Sequence, residues 1–380
     1  MREASHLATA VKLINSFHGE RPMLFHLKEY FRQNKKHGSK DRKSIASLCY
    51  GYYRVASAFP QSSVEEKIIY GQYLTHALSN NFIGALSPSL QGSSQLPLNE
   101  KINLLKKNPA DFFPYADLLS EKIDADAFGF SILQQPKVFL RIRPDAKAFV
   151  RKILTAAGIP FQEVSTNCFA LENGTSIPKE IIGKYAVVQD RSSQNVLEEL
   201  ARIHFQHTPL LWDCCCASGG KSILAYDKLQ GDVTIVATDI RDNILHNYRD
   251  RMKEAGINFL KAFVADLSDD KKINIPPPDV IICDVPCTGS GTWGRTPEQL
   301  YFFDKARLSE YTTRQSGILA NAYKHLQKGG FLFYITCSAF KEENENIVQE
   351  QFSHQIIFQQ YFKGYSYEAD TMFVSLIAKN

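Results

Sequence analysis

The second half of the sequence contains four short, largely apolar runs, each followed at once by an acidic residue or a short loop with a cysteine. These runs lie at residues 210–212, 233–238, 280–282 and 331–335. Because they show little polar alternation, they are typical of strands buried on both faces, as in parallel sheets covered by helices. In such open α/β sheets, ligands bind outside the carboxyl ends of the strands. The pattern therefore predicts an α/β fold whose strand ends share one cleft.

Two cysteines follow the last two of these runs. Cys287 belongs to the stretch Asp284-Val285-Pro286-Cys287, and Cys337 belongs to Thr336-Cys337-Ser338. If the two strands are neighbours, both thiols lie at the same edge of the sheet and can serve one reaction. The commonest role of a buried cysteine is that of an inert core thiol, and we assign that role to Cys49 and Cys168. An inert role does not explain why Cys287 and Cys337 both lie in loops that directly follow predicted strands.

Three other strand ends indicate a nucleoside cofactor. Residues 213–221 contain paired glycines that let the backbone turn tightly beneath a ligand, and the helix that follows offers free N–H groups. Asp239 ends the second run, where a carboxylate can accept both ribose hydroxyls. Asp266 ends a third predicted strand at 259–265 and can accept from an adenine amino group. A single such Asp is usually a cap or turn residue, but the repetition in order favours S-adenosylmethionine, since nothing is specialised for the pyrophosphate of NAD.

Together these motifs resemble the Fmu/Sun (RsmB-like) family of S-adenosylmethionine-dependent RNA cytosine-C5 methyltransferases. The resemblance covers about residues 110–378, with its most specific motifs at 213–222, 284–298 and 336–346. It implies a Rossmann-like class I methyltransferase sheet, a small α/β (RRM-like) subdomain and an all-α NusB-like N-terminal domain. It also implies that the partner is RNA, with ribosomal RNA favoured over transfer RNA.

The resemblance assigns roles to individual residues. Cytosine C5 is a poor nucleophile until a thiolate adds at C6, so the reaction needs an attacking thiol and a group that assists release. Cys337 matches the nucleophile and Cys287 the cysteine that assists release, with Asp284 and Lys221 at the same centre. DNA cytosine methyltransferases attack with the Pro-Cys thiol instead. The expected cofactor-binding residues are Cys215, Cys216, Ala217, Ser218, Gly219, Gly220, Lys221, Asp239, Asp266 and Asp284.

The cofactor turn departs from the family pattern Cys-Ala-Ala-Pro-Gly-Gly-Lys-Thr at three positions. Cys216 replaces an alanine, Ser218 replaces the proline and Ser222 replaces the threonine. The substituted residues are small, so the turn should form. We expect Ser218 to loosen it, because a serine does not restrict the backbone as proline does.

The rest of the chain predicts a division into four parts. Residues 1–85 form a helical NusB-like RNA-binding domain, 86–130 a linker with connecting helices, 131–185 the RRM-like subdomain and 186–380 the methyltransferase domain. The first 70 residues contain twelve Lys or Arg and six Asp or Glu, whereas the whole chain has a net charge of only +4. A basic face suits an anionic polymer. A solvated helical surface would show the same excess, so the charge leaves both interpretations open.

The sequence lacks the features of membrane-spanning, secreted and zinc-binding proteins. No apolar run approaches the ~20 residues of a membrane-spanning helix, and the N-terminus has no apolar signal core. No Cys-x-x-Cys pair indicates zinc. We therefore expect a cytoplasmic monomer without metal. The alternatives are a transfer RNA methyltransferase, a non-catalytic RNA-binding assembly factor of the same fold, and an amino-methylating enzyme, for which Asn/Asp-Pro-Pro-aromatic would replace Asp284-Val285-Pro286-Cys287.

Overall fold

The computed structural model describes residues 2–75, 80–268 and 272–380. Within these segments, no helix is both long and apolar enough to cross a membrane. The helices are, in chain order, α1 (Arg2–Asn15), α2 (Met23–Gln33), α3 (Ser39–Val55), α4 (Val64–Thr75), α5 (Asn80–Leu86), α6 (Pro88–Gln91), α7 (Leu98–Leu104), α8 (Pro109–Phe112), α9 (Ala125–Ile132), α10 (Lys147–Ala156), α11 (Arg191–Asn195), α12 (Gly220–Lys228), α13 (Asp242–Glu254), α14 (Pro297–Tyr301), α15 (Leu308–His325) and α16 (Glu345–Phe352).

The strands form two separate sheets. They are β1 (Val138–Ile142), β2 (Gln162–Ser165), β3 (Cys168–Leu171), β4 (Ala186–Val188), β5 (Leu210–Asp213), β6 (Thr234–Asp239), β7 (Lys261–Val264), β8 (Val280–Asp284), β9 (Phe331–Thr336), β10 (Ile356–Phe362) and β11 (Met372–Ala378). The first four build a small antiparallel sheet of order β2-β3-β1-β4. The other seven build the larger sheet, of order β10-β11-β9-β8-β5-β6-β7.

The larger sheet is mixed and Rossmann-like. Strands β5 to β9 pair in parallel, while β11 is antiparallel to both β9 and β10. From β5 the chain builds outward through β6 and β7, and then returns to add β8 and β9 on the other side. Strand order therefore reverses between β5 and β8, and ligands of such sheets bind at this point.

The apolar runs of the sequence form the buried strands, as predicted. The core residues of β8 and β9 are fully buried, because both strands lie inside the sheet. The third predicted strand, 259–265, is shorter than expected and spans only Lys261–Val264. This strand lies at the sheet edge with β6 as its neighbour, and Val264 is about half exposed. At the C-terminus, β10 and β11 pair as antiparallel strands.

The chain divides into two compact units. One contains Met1–Leu119, Ile123–Gln135 and Thr292–Lys305, and the other contains Ser120–Lys122, Pro136–Gly291 and Ala306–Asn380. In the helical unit, α3 and α4 approach so closely that a Cβ atom on Gly71 would lie 2.3 Å from the Gly51 carbonyl oxygen.

Two features of this division were not evident in the sequence. The segment Thr292–Lys305 groups with the N-terminal helices. The buried Arg54 of α3 helps to hold it there, since it donates to the Gly294 carbonyl at 2.7 Å. Strand β4, which we placed at the start of the methyltransferase domain, pairs with β1 in the small sheet. The boundaries at 85, 130 and 185 stay predictions.

Candidate active site

A cavity of about 660 Å³ opens at the carboxyl ends of the parallel strands, in the second unit. It lies where the strand order reverses, between β5 and β8. The turn after β5, the ends of β6, β7 and β8, the loop after β9 and the helix α15 all contribute to its walls. Its lining includes Cys214, Cys215, Ala217, Asp239, Arg241, Asp266, Asp284, Pro286, Cys287, Arg314, Ile318 and Cys337. The structure thus gathers the two candidate thiols and three candidate aspartates around one cleft.

The two thiols are close neighbours. The Sγ atoms of Cys287 and Cys337 lie 3.4 Å apart, because β8 and β9 pair in parallel and end side by side. Gly291 holds the loops together, since its N–H donates to the Cys337 carbonyl at 3.0 Å. A Cβ atom at Gly291 would lie 2.1 Å from the Thr371 carbonyl oxygen, so glycine is required there. Both sulfurs can therefore reach one small substrate ring.

A cation and a carboxylate stand beside the thiols. Lys221 Nζ, at the start of α12, lies 2.5 Å from Asp284 Oδ2 at the end of β8, and the side chains are 12% and 26% exposed. Burial opposes the charge on Lys221, but Asp284 and, more weakly, Cys337 raise its pKa above the usual value. The ammonium group therefore stays charged near the Cys337 sulfur, where it can stabilise a thiolate.

The turn after β5 has the shape that its glycines predict. Gly219 has a φ of +85° and its N–H donates to the Cys216 carbonyl at 2.8 Å, after which α12 begins. Ser218 accepts a hydrogen bond at 2.6 Å from Arg251 of α13, which also donates to the Ser218 carbonyl. The turn is therefore tethered by a side chain at the position where the family carries proline. This contact opposes the loosening that we expected from Ser218.

The carboxylate of Asp239 is already engaged by protein donors. It accepts the N–H of Ala217 at 3.0 Å and three hydrogen bonds from Arg241, through its backbone N, Nε and Nη2. Burial disfavours the charge on Asp239, but these donors outweigh it and hold its pKa below the usual value. Asp266 accepts from the backbone and the hydroxyl of Ser268 at 2.9 and 2.6 Å. Both carboxylates line the cleft.

Some predicted cofactor residues do not line the cleft with their side chains. Cys216 is buried and packs in the core of the larger sheet. The Ser218 hydroxyl is bonded to Arg251, and Gly219 and Gly220 shape the turn through their backbone. Their contribution to the site is therefore the path of the chain beneath the cleft.

Other residues of the site were missed by sequence reasoning. Arg241 and Arg314 line the cleft, but they belong to no motif. Ile318 also lines it, one helical turn after Arg314. Asp213, at the end of β5, is fully buried and accepts from the Ser222 hydroxyl at 2.6 Å. Burial raises the pKa of Asp213 to about 7.

The residues present fit S-adenosylmethionine. Asp239 and Asp266 are acceptors suited to ribose hydroxyls and an adenine amino group, and the turn at 213–221 brings small residues and a helix N-terminus to the same edge. In the described part of the chain, no group of three or more His, Cys, Asp or Glu side chains is arranged to hold a metal ion.

Comparison with known proteins gives a consistent result. Residues 202–360 match the family model described as 16S rRNA methyltransferase RsmB/F. The chain is 29% identical over 160 residues to ribosomal RNA small subunit methyltransferase B of Escherichia fergusonii and of Shigella sonnei. The match covers 42% of this chain and 36% of each relative, so the chain aligns with about a third of the length of these curated relatives.

Solved structures share the fold at low sequence identity. The crystal structure of PH0851 superposes with a TM-score of 0.69 at 17% identity, and the match covers 100% of this chain and 98% of that one. The crystal structure of NSun6 from Pyrococcus horikoshii with SFG superposes with a TM-score of 0.60 at 15% identity, over 70% of this chain and 97% of that one. At these identities the likeness concerns the fold.

Proposed function

We propose that the chain is an S-adenosylmethionine-dependent RNA cytosine-C5 methyltransferase of the RsmB/F (Fmu/Sun) family, whose model matches residues 202–360, and that it methylates C5 of a specific cytosine in 16S-type ribosomal RNA. The observation that carries this proposal is the pair of thiols 3.4 Å apart, Cys287 and Cys337, beside the Lys221–Asp284 ion pair. A C5 methyltransferase that works by covalent addition needs one thiol to attack and a second group to assist release.

The side chains of the cleft account for the steps at the cytosine ring. The Cys337 thiolate, beside the Lys221 cation, would form a bond to C6 and leave electron density at C5. S-adenosylmethionine supplies the methyl group. Removal of the C5 proton by a base then restores the double bond as the bond between C6 and Cys337 breaks, and Cys287 assists this release. Asp284 accepts a hydrogen bond from the amino edge of cytosine.

The cofactor would be held by three parts of the cleft. The turn from Cys215 to Lys221 passes beneath it, Asp239 accepts from the ribose hydroxyls and Asp266 accepts from the adenine amino group. These assignments are supported by the lining of the cavity, which includes both aspartates and Cys215.

The other parts of the chain would recognise RNA. A NusB-like role for the N-terminal helices is supported by the excess of basic residues in the first 70 positions. An RRM-like role for the small sheet is supported by its strand order, β2-β3-β1-β4, with α10 between β1 and β2. We further propose that the protein is a cytoplasmic monomer that takes part in ribosomal RNA processing.

The substrate is tested by bisulfite sequencing of total RNA from cells with and without the gene. We expect one ribosomal RNA cytosine to lose its protection when the gene is absent. Loss of protection in a transfer RNA would establish the alternative substrate. If no cytosine in any RNA changed, the chain would be a non-catalytic RNA-binding factor.

The roles of the thiols are tested by two substitutions. Cys337→Ala should abolish methylation and form no covalent complex, because the addition step is missing. Cys287→Ala should accumulate a protein–RNA complex that survives denaturation and runs as a slow band on a gel, because release fails. The target base must also leave its stack, which costs a few kcal/mol and favours unpaired RNA. A slow band from Cys337→Ala but not from Cys287→Ala would reverse the roles.

A further inference from the structure

Two thiols 3.4 Å apart in one cleft raise the question of which one loses its proton. A pair this close titrates as a unit, because the first negative charge raises the cost of the second. The charges around the pair therefore decide where the first thiolate forms. The charged and titratable groups that face the pair are Lys221, Asp284, Arg314, Tyr334 and Glu343.

Glu343 is a fully buried carboxylate that joins the two cysteine loops. Its Oε1 accepts the Thr288 N–H at 2.8 Å and Gln315 Nε2 at 2.9 Å. Its Oε2 accepts the Thr288 and Ser338 hydroxyls, each at 2.5 Å. Thr288 follows Cys287 directly in the chain, and Ser338 follows Cys337. One carboxylate thus holds both loops and makes four hydrogen bonds.

The contacts of Gln315 extend this arrangement to the other side of the Cys287 loop. Its Nε2 also donates to the Pro286 carbonyl at 3.0 Å, on the residue before Cys287. The Cys287 loop is therefore held on both sides of the thiol by groups bonded to Glu343. Four donors and no acceptor surround this carboxylate in the contacts above.

Glu343 and Lys221 bring opposite charges to the thiol pair. The hydrogen bond with Cys337, burial, and the charges of Cys337 and Glu343 together hold the pKa of Cys287 well above its usual value. Glu343 accepts two hydrogen bonds from Thr288, next to Cys287, and one from Ser338, next to Cys337. The Lys221 cation interacts favourably with Cys337.

We propose that Glu343 is a positioning residue that joins the two cysteine loops and, through its negative charge, keeps the proton on Cys287, so that Cys337 is the thiol that attacks. This inference rests on the proposed function for the meaning of the two thiols. Its chemistry can be measured without RNA or cofactor, so the two can fail separately.

Glu343→Gln separates the charge from the contacts. The amide oxygen can take the place of Oε1 and accept from Thr288 N–H and Gln315, while the amide NH₂ can donate to the hydroxyls of Thr288 and Ser338, which are able to accept. The four contacts can therefore be kept, two of them with donor and acceptor exchanged, while the charge is lost. Glu345→Gln is the matched control, because Glu345 accepts from Ser120 and Tyr361 and none of its hydrogen bonds reaches a cysteine loop.

The measurement is the initial rate of alkylation by iodoacetamide at each cysteine, followed by mass spectrometry between pH 6 and 10 in the full chain. In Glu343→Gln, Cys287 should react at least ~3-fold faster at neutral pH, since each unit of lowered pKa raises the thiolate fraction about tenfold. The rate at Cys337 should change less than that at Cys287, and Glu345→Gln should match the wild type. Equal changes at both cysteines, no change at Cys287, or the same gain in Glu345→Gln would overturn the proposal.

The wild-type protein provides a second test that does not depend on the variant folding. At neutral pH, alkylation should be slower at Cys287 than at Cys337. Equal rates, or the reverse order, would overturn the assignment whether or not the protein methylates RNA.

Discussion

Substitution of Arg241 should strengthen the binding of S-adenosylmethionine, whereas substitution of its partner Asp239 should weaken it. An ionised carboxylate offers about four acceptor positions. All four are used at Asp239, one by the Ala217 N–H and three by Arg241. The ribose hydroxyls can therefore reach this carboxylate only when the guanidinium group leaves it.

The change in cofactor affinity can be estimated for each substitution from the contact that it removes. The Arg241 side chain is 56% exposed, and an ion pair with such a partner is worth about 0.2–1 kcal/mol. Arg241→Ala removes this competing contact and should tighten binding by up to about fivefold, since 1.4 kcal/mol corresponds to a factor of ten. Asp239→Ala removes a charged acceptor whose hydrogen bonds are worth about 1.5–3 kcal/mol each. Its affinity should fall at least about tenfold.

Isothermal titration calorimetry with S-adenosylmethionine measures both effects. Arg249→Ala is the control, because Arg249 lies on α13, the helix that follows Arg241, and its guanidinium donates to the Ala262 carbonyl instead. Its affinity should equal that of the wild type. If Arg241→Ala weakened binding as Asp239→Ala does, Arg241 would be part of the ligand site and the competition argument would be wrong.

Two further outcomes are expected. Since burial raises the pKa of Asp213 to about 7, the folded state binds this proton more tightly than the unfolded chain, and the stability of the wild type falls as pH rises between about 4 and 7. Asp213→Asn removes this dependence, so its melting temperature relative to the wild type should rise from pH 5 to pH 8, and a constant difference would contradict the reasoning. Replacing the exposed Lys35, Lys36, Lys40 and Lys43 with Gln should weaken RNA binding and make its salt dependence shallower, because fewer counterions are released. Calorimetry should show unchanged cofactor affinity, and an unchanged salt slope would exclude these lysines from the RNA interface.

The sequence by itself determined the larger sheet and the residues at its edge. Runs such as 280–282 and 331–335 predict strands buried on both faces, because a continuous apolar segment leaves no face for water. The residue that follows a strand lies at its end, so Asp284 and Cys287, and likewise Cys337, could be placed at the carboxyl edge from local pattern alone. The glycines at 219 and 220 marked the turn for the same local reason.

Only the tertiary structure decided which side chains meet across that edge. Glu343 contacts Thr288 from 55 positions away in the chain, and Thr292–Lys305 joins the N-terminal helices although it follows the Cys287 loop in sequence. Arg241 covers Asp239 although a strand-end aspartate predicts an open acceptor. Local pattern reports whether a residue is buried and on which face, but hydrogen-bond partners depend on distances between segments that are remote in sequence. Those distances exist only once the strands have paired and the helices have packed.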